Sequence, residues 1–492
     1  MSQQTHQQIH QQTRQFCPVF PKPKKSRSSL LSMFFGKRRS WLDGLFERSY
    51  HMKMGEVHLP GLDLYMVNEP KLVRQVMLEQ ADNFPKHAML GEALKPLLGE
   101  SIFTTNGLLW KRQRAMMDQS FAATRLKIVF PLMQDAVRAM QQRLDTLPDG
   151  VHYDVDMEMT HVTADIIFRT ILSVPLEGED ARAIFEAFTR FQELAPKLLT
   201  PIIFRLPRWL TPWFTKRKSA HAAKQIRAVL ERFIRPRYDA YQCHKARGLT
   251  TEFVGQEPLA QSDDILGSLL AAIDPETGEG FSFEGLVDQI AMLFLAGHET
   301  SASSLAWSLY LLSNSPEIQE RVHAEVVGVL GQADPTFADM RSMELTRNVF
   351  RETLRLYPPV GFFTRQTVKT EHMRDKVVPE NASIIISPWL IHRHRELWDN
   401  PDHFDPDRYH TASAKESLKC AYLPFSLGPR VCMGAAFALQ EANLILATLV
   451  RRYRFEALPG EVPEPVGRLT IRAENGIKMA VHKRVNVKRE KS

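Results

Sequence analysis

Cys432 lies between two glycines and behind an arginine in the run Phe425-Ser426-Leu427-Gly428-Pro429-Arg430-Val431-Cys432-Met433-Gly434, at the mouth of an apolar stretch with helical spacing. A cysteine so placed suits an iron thiolate. Sulfur on haem iron donates electron density that favours splitting of an O–O bond, so the thiol must be deprotonated and dry. The run from Gly434 to about Tyr453 reads as a helix, and a helix N-terminus with its free N–H groups stabilises a negative sulfur. Gly428 and Gly434 allow a tight turn and a close approach to a ligand. Arg430 offers a fork of donors to a carboxylate, here a haem propionate, and Phe425 is placed to shield the sulfur from water. The competing reading is a buried, inert cysteine, the commoner fate of a core thiol. The neighbours favour the ligand: five matched positions, each at a usage of about one in twenty, arise by chance in a chain of this length roughly once in ten thousand sequences.

A second cluster, Ala296-Gly297-His298-Glu299-Thr300-Ser301, falls inside a helical reading from Ser282, an N-cap residue, to Asn314, just before Ser315-Pro316. Gly297 in a helix interior costs about 1 kcal/mol against alanine, and Thr300 can bond back to the Ala296 carbonyl and bend the helix. A functional distortion explains both residues, and so does a small-residue packing notch.

These two segments resemble the cytochrome P450 family, and further pieces in the family's order extend the resemblance from about Trp110 to Asn475. The resemblance implies a mainly α fold with a smaller β-rich part, in which haem b (iron protoporphyrin IX) sits between the long central helix and the cysteine loop. Cys432 is then the axial ligand, Gly297 lies at the groove for O2, and Thr300 and Glu299 relay protons. Trp110 and Arg114, in Trp110-Lys111-Arg112-Gln113-Arg114, and Arg365, after Pro358-Pro359, become propionate contacts, with Gln113 where many relatives carry histidine. Glu352 and Arg355, three apart on a helix that Pro358 must end, join Arg408 in a structural triad. As a bare surface pair, Glu352 and Arg355 contribute only about 0.2 to 0.5 kcal/mol. Tyr409, where phenylalanine is usual, adds a hydroxyl that needs a partner. Around the iron the family would place Phe294, Ala296, Val360, Phe362, Phe363 and Leu469, an apolar set that suits a fatty acid, terpenoid or steroid.

The activity implied is haem-thiolate monooxygenation: hydroxylation of a C–H bond with O2 and electrons drawn ultimately from NAD(P)H. With no flavin or ferredoxin segment recognisable in the chain, a separate ferredoxin-type or flavodoxin-type donor is expected, docking near Lys111, Arg112 and the cysteine loop. Two other readings stand beside this one. A peroxide-driven or isomerising haem-thiolate enzyme needs no proton relay, and the intact Glu299-Thr300 pair speaks against it. A non-catalytic haem sensor or carrier needs only the loop. Metal binding by His392 and His394 at strand spacing lacks further ligands.

Composition sets wider bounds. The length of 492 residues alone suggests about three domains, yet no linker or repeat follows the first stretch, and the resemblance implies one domain over residues 36–492. Four cysteines, at 17, 243, 420 and 432, form no CxxC and no dense spacing, so neither a disulfide framework nor a zinc site is indicated and a reducing, cytoplasmic setting is expected. The first 50 residues hold nine Lys or Arg against two acids, leaving 54 of each sign in the remainder, so the basic balance belongs to these first 50; the leading arm, residues 1–35, is basic and reads as disordered, above all in its Gln-rich start. Lys22 to Lys25 suit a solvated tail better than an anionic membrane or nucleic acid, and no nucleic-acid partner is expected. Leu30 to Phe35 is far short of the roughly 20 apolar residues of a membrane span. Peripheral membrane contact is left to the proline-broken stretch Pro196 to Phe214, which the family would place as a lid over the substrate entrance. Its Ile202, Ile203, Phe204, Trp209, Trp213 and Phe214 are apolar, and its Arg205 and Arg208 suit a carboxylate or stand there by chance. Short strands are predicted from about Gly55 to Val67 and around Val377 to Ser387.

Overall fold

The computed structural model describes residues 16–24, 40–59, 62–176, 186–188, 190–191, 194, 213–247 and 263–484. Its axis is a long helix, Phe283–Ser313, apolar on nearly every face and buried along almost its whole length. A helix hydrophobic all round has to be enclosed by others, and this one is. It packs most extensively on the helix Val155–Leu172, and also on Trp213–Ala246, Glu344–Leu356 and Ala435–Arg452. Ser282 caps it, its Oγ accepting the Gly285 N–H at 3.1 Å, and Asn314 ends it, at the two residues the sequence indicates.

The β part is small. A four-stranded sheet runs in the order Met54–Leu59, Leu62–Val67, Ser383–Ile386, Phe363–Gln366. Leu64 lies parallel to Ser383, and Arg365 sits opposite Ile384 across an antiparallel pair. The predicted strand near 377–387 divides in two, Lys376–Val378 and Ser383–Ile386. A short antiparallel pair, Pro465–Gly467 with Ile471–Ala473, lays the turn 468–470 against the long helix, where Ser303 Oγ donates to the Ile471 carbonyl at 2.6 Å. The main apolar core draws its residues from nearly the whole chain, from Leu42 to Val481.

Two expectations need correcting. Residues 16–24 of the leading arm are not loose: Tyr357 Oη donates to the Val19 carbonyl at 2.6 Å, the Phe404 N–H donates to the Phe16 carbonyl at 2.9 Å, and the Phe16 and Tyr310 rings meet edge to face. Aromatic anchors spaced along the segment outweigh its polar composition. His392 and His394 do not lie on a strand; they follow the short helix Pro388–Ile391, both buried, and His392 Nε2 accepts the Leu423 N–H at 2.7 Å. Among the described residues no group of three or more His, Cys, Asp or Glu converges as a metal site. Nor, among them, is any helix long and apolar enough to cross a membrane. The stretch 196–212, with its lid and membrane expectations, lies outside the described residues, as do the side chains of Trp213 and Phe214.

Candidate active site

The cysteine loop is closed by its own backbone. The Cys432 N–H donates to the Phe425 carbonyl at 2.8 Å, and the Val431 N–H to the Gly428 carbonyl at 3.0 Å. Gly428 has φ +74°, and a Cβ there would meet the Met77 carbonyl oxygen at 2.0 Å, so only glycine lets the loop seat on the turn Gln75–Glu79. Gly434 is different: a Cβ would make ordinary contact with Cys432 Sγ at 3.9 Å. Its contribution is the N–H it directs at the sulfur, one residue ahead of the helix Ala435–Arg452. Burial pushes the Cys432 thiol up, while the Gly434 N–H and the Arg114 guanidinium pull it down. Cys432 presents accessible surface even though protein crowds it on most sides, the signature of a side chain lining an interior hollow. Phe425 packs half-buried against the main core beside it.

Arg114 serves the loop more directly than the sequence suggested. Its Nη1 donates to the Val431 carbonyl at 2.7 Å and its Nε to Asp118 at 2.6 Å, so it ties the helix Gly107–Asp118 to the residue before the cysteine. Gln113 is turned inward: its Nε2 donates to the Glu100 carbonyl at 2.6 Å and its Oε1 accepts from Thr105 at 2.7 Å.

Around Trp110, itself buried, the structure gathers three cations, and the one acid that acts on them, Asp82 on Arg430, is outweighed by burial. The Arg430 guanidinium lies 4.9 Å and Lys86 Nζ 5.9 Å from the ring centre. Arg365 is buried, and Nε of both Arg365 and Arg430 lacks a hydrogen-bond partner. Burial, then Arg430 and Arg365, pulls the Lys86 ammonium down to about 7; burial, then Arg430, pulls Arg365 down to about 10. Orphaned buried donors on like charges are costly, and a group bearing two carboxylates is the chemistry that relieves them. The residues present therefore fit a haem with its propionates against Trp110. Lys86 was not legible in the sequence: it is a single lysine after Pro85, with no motif around it, and is fixed from afar by Asn106, which bonds its backbone N–H and carbonyl, each at 3.0 Å. Seating a dianion among these groups restores the Lys86 charge, so haem binding should take up a proton and weaken as pH rises above about 7. Equilibrium haem titrations between neutral and alkaline pH check this: Lys86→Met should bind more weakly at neutral pH and lose most of that dependence.

The burial of the long helix is interrupted at the segment the sequence singled out. Within its buried middle, Ala296 is exposed, and Gly297 and Thr300 are half-buried, so the helix is open at these three positions. Thr300 Oγ1 donates to the Ala296 carbonyl at 2.7 Å, as its spacing indicated. Gly297 faces the other way: a Cβ would meet Ile167 Cδ1 at 2.5 Å, so the packing notch and the opening occur together in one turn. Glu299 is buried, and its Oε1 accepts from Thr470 Oγ1 at 2.7 Å. Burial raises the Glu299 carboxyl, and Arg472 opposes that rise. Thr470 and Arg472, on the turn and strand behind the helix, were not singled out in the sequence because nothing in their local pattern indicates proximity to Glu299.

Of the apolar set, Val360, Phe362, Phe363 and Leu469 are half-buried and Ala296 is open. Phe294 is not a wall residue: it is sealed between Phe168 and Phe188, at ring separations of 4.5 and 5.1 Å, because helical periodicity turns it towards the neighbouring helices.

Glu352 and Arg355 are completely buried and Arg408 nearly so. Arg355 binds the carboxylate twice, at 2.9 and 2.7 Å, Arg408 once at 2.8 Å, and the Tyr409 hydroxyl donates to it at 3.0 Å, which satisfies the hydroxyl. The remaining arginine donors reach the carbonyls of His392, Pro401, His403 and Asp399, and so pin the chain segment that leads into the cysteine loop.

This mainly helical fold carries both a glycine-flanked cysteine loop and a notched long helix, the two features on which the resemblance to haem-thiolate proteins rests. A sequence model described as Cytochrome P450 matches residues 42–480, and the chain belongs to that family. It is similar to cyclooctatin synthase of Streptomyces melanosporofaciens, 30% identical over 86% of this chain and 87% of that one, and to cyclooctat-9-en-7-ol 5-monooxygenase of the same organism, 32% identical over 83% and 84%. Pentalenene oxygenase of Streptomyces avermitilis is 30% identical over 86% of this chain and 88% of the relative. A crystal structure of the cytochrome P450DA heme domain shares the fold with a TM-score of 0.81 at 24% identity, covering 97% of this chain and all of that one. The protein is thus a cytochrome P450 monooxygenase that uses haem and O2, receives electrons from a redox partner and acts on a small molecule.

Proposed function

We propose that this enzyme hydroxylates a C–H bond of a terpenoid-class molecule, with Cys432 as the iron ligand and electrons passed from NAD(P)H through a ferredoxin-type donor. The observation that carries the reading is the loop in which the Cys432 sulfur receives the Gly434 N–H and the field of Arg114 while facing an interior hollow. The apolar wall of Ala296, Val360, Phe362, Phe363 and Leu469 favours an apolar guest held by few polar contacts, and the substrates named for two of the relatives, cyclooctat-9-en-7-ol and pentalenene, support the class.

Haem, when bound, supplies the iron at which O2 is reduced and its O–O bond broken. Overall, one oxygen atom enters the C–H bond and the other leaves as water, consuming two electrons and two protons. The chain's own part is to hold the sulfur anionic, to keep the site dry and to deliver those protons. Trp110, Lys86, Arg365 and Arg430 would hold the propionates. Thr300, at the opening, presents a hydroxyl whose own proton goes to the Ala296 carbonyl, which leaves its oxygen free to accept a bond from water. Glu299, whose carboxyl burial pushes up, is the proton source behind it. Lys111 and Arg112 on the helix Gly107–Asp118, with exposed Leu108 and Val431 nearby in sequence or loop, supply charge and apolar surface for an acidic donor.

Thr300→Ala should keep haem and substrate binding while product formed per NADPH consumed falls several-fold and peroxide release rises. Unchanged coupling would remove Thr300 from the relay. A library of cyclic terpenes scored by the iron spin-state shift should yield saturable binders, whereas fatty acids alone giving shifts would reassign the substrate class.

A further inference from the structure

Glu299 does not stand alone behind the long helix. Arg472, on the strand Ile471–Ala473, donates through Nη2 to Asp156 Oδ1 at 2.9 Å and to Thr160 Oγ1 at 2.7 Å. Its positive charge also acts on Glu299, and the negative charge of Glu299 acts on it in return. Asp156 opens the helix Val155–Leu172, the principal neighbour of the long helix. The Asp156 N–H donates to Asp154 Oδ1 at 3.1 Å, and Thr160 Oγ1 donates to the Asp156 carbonyl at 2.7 Å, so the aspartate is fixed in place. Both side chains keep some accessible surface, Asp156 15% and Arg472 23%, whereas Glu299 is buried.

We propose that Arg472 is a positioning residue shared by two acids, and that Asp156, by holding its guanidinium, keeps the Glu299 carboxyl protonated and ready to donate. Geometry dictates the direction. A guanidinium engaged by one carboxylate exerts a weaker net field on a second, and Asp156 adds its own negative charge, which opposes ionisation of Glu299. Thr470 fixes the orientation of Glu299 through the bond to Oε1. The other charged or titratable groups facing this cluster are Asp154, which acts on Arg472, and His298. Burial, opposed by its bond to the Phe294 carbonyl, holds His298 down at about 4, so it is neutral near pH 7. Without Asp156, more of the field of Arg472 falls on Glu299 and favours its ionised form; without Arg472, the proton is held more firmly.

The two substitutions must therefore act in opposite directions, an outcome that general loosening of the fold does not produce. Infrared difference spectroscopy on the haem-loaded full-length protein follows the carbonyl stretch of a protonated carboxyl, assigned to Glu299 by its loss in Glu299→Gln. Asp156→Asn should move the midpoint of that titration to lower pH by about one unit, and Arg472→Met to higher pH by a similar amount. Arg472→Lys, which keeps the charge, should restore most of the wild-type midpoint. If Arg472→Met fails to take up haem, the acid shift in Asp156→Asn still decides the matter. Midpoints that stay put, or that move in the same direction, would overturn the proposal. The inference rests on Glu299 as the proton source, and the two fail separately. Opposite shifts of the midpoint with coupling to product indifferent to Glu299→Gln would refute the relay but leave Arg472 as the residue that sets the charge of Glu299.

Discussion

Glu352→Gln should cost about 3 to 5 kcal/mol of folding stability, because it leaves two buried guanidiniums facing a neutral amide. Glu352 and Arg355 are wholly out of water, and the carboxylate is the shared anion of five hydrogen bonds, from Arg355 twice, Arg408, Tyr409 and the Asp405 N–H. Burial alone would push this carboxyl up, but Arg355 and Arg408 outweigh it and hold Glu352 below the ordinary carboxylate range. A depressed folded-state pKa contributes stability that is fully present above the unfolded value and lost as pH falls through the folded one. Acid unfolding of the wild type should thus steepen below the ordinary carboxylate range, and that component should vanish in Glu352→Gln. Denaturant titrations of the protein at neutral pH and at pH below the ordinary carboxylate range measure both effects. A loss under about 1 kcal/mol would mean that the triad is not what secures the segment leading to the cysteine loop.

Cys432→Ser should abolish monooxygenase turnover while leaving the fold in place. The side chain makes no bond that closes the loop; closure comes from the Cys432 N–H to Phe425 and from Arg114 to the Val431 carbonyl, and neither involves sulfur. A hydroxyl is a far weaker donor to iron than a thiolate, and the electron push that favours O–O cleavage goes with it. Circular dichroism should match the wild type, with no product detectable from a substrate that the wild type oxidises. Residual turnover within tenfold of the wild type would mean that the thiolate does not drive the chemistry.

Much of the architecture was legible from local chemistry. Ser282 and Asn314 bound the long helix because caps are local signals, and Gly434 and Tyr453 bracket the helix behind the cysteine for the same reason. Gly428 was legible as a turn residue, but the Met77 carbonyl that forbids a side chain there lies some 350 residues away in sequence. What remained hidden depended on distant partners. Lys86 acquires meaning only beside Arg365, Arg430 and Trp110, and Arg472 only between Asp156 and Glu299. Arg114 was assigned by resemblance to a propionate, yet the bonds it makes here serve the loop carbonyl. Phe294 was placed around the iron by resemblance, but a helix turns about 100° per residue, which carries it into the aromatic cluster with Phe168 and Phe188. Composition misjudged residues 16–24 because three aromatic and aliphatic anchors, Phe16, Val19 and Phe20, count for more than the polar residues around them.

The central claim is that the sulfur of Cys432 is bound to haem iron, and the optical spectrum of the purified wild-type protein, reduced and exposed to carbon monoxide, tests it most directly. The account predicts the red-shifted Soret band of a thiolate-ligated ferrous carbonyl complex, present in the wild type and lost in Cys432→Ser. A wild-type spectrum typical of histidine ligation, or protein that stays colourless after reconstitution with hemin, would contradict it.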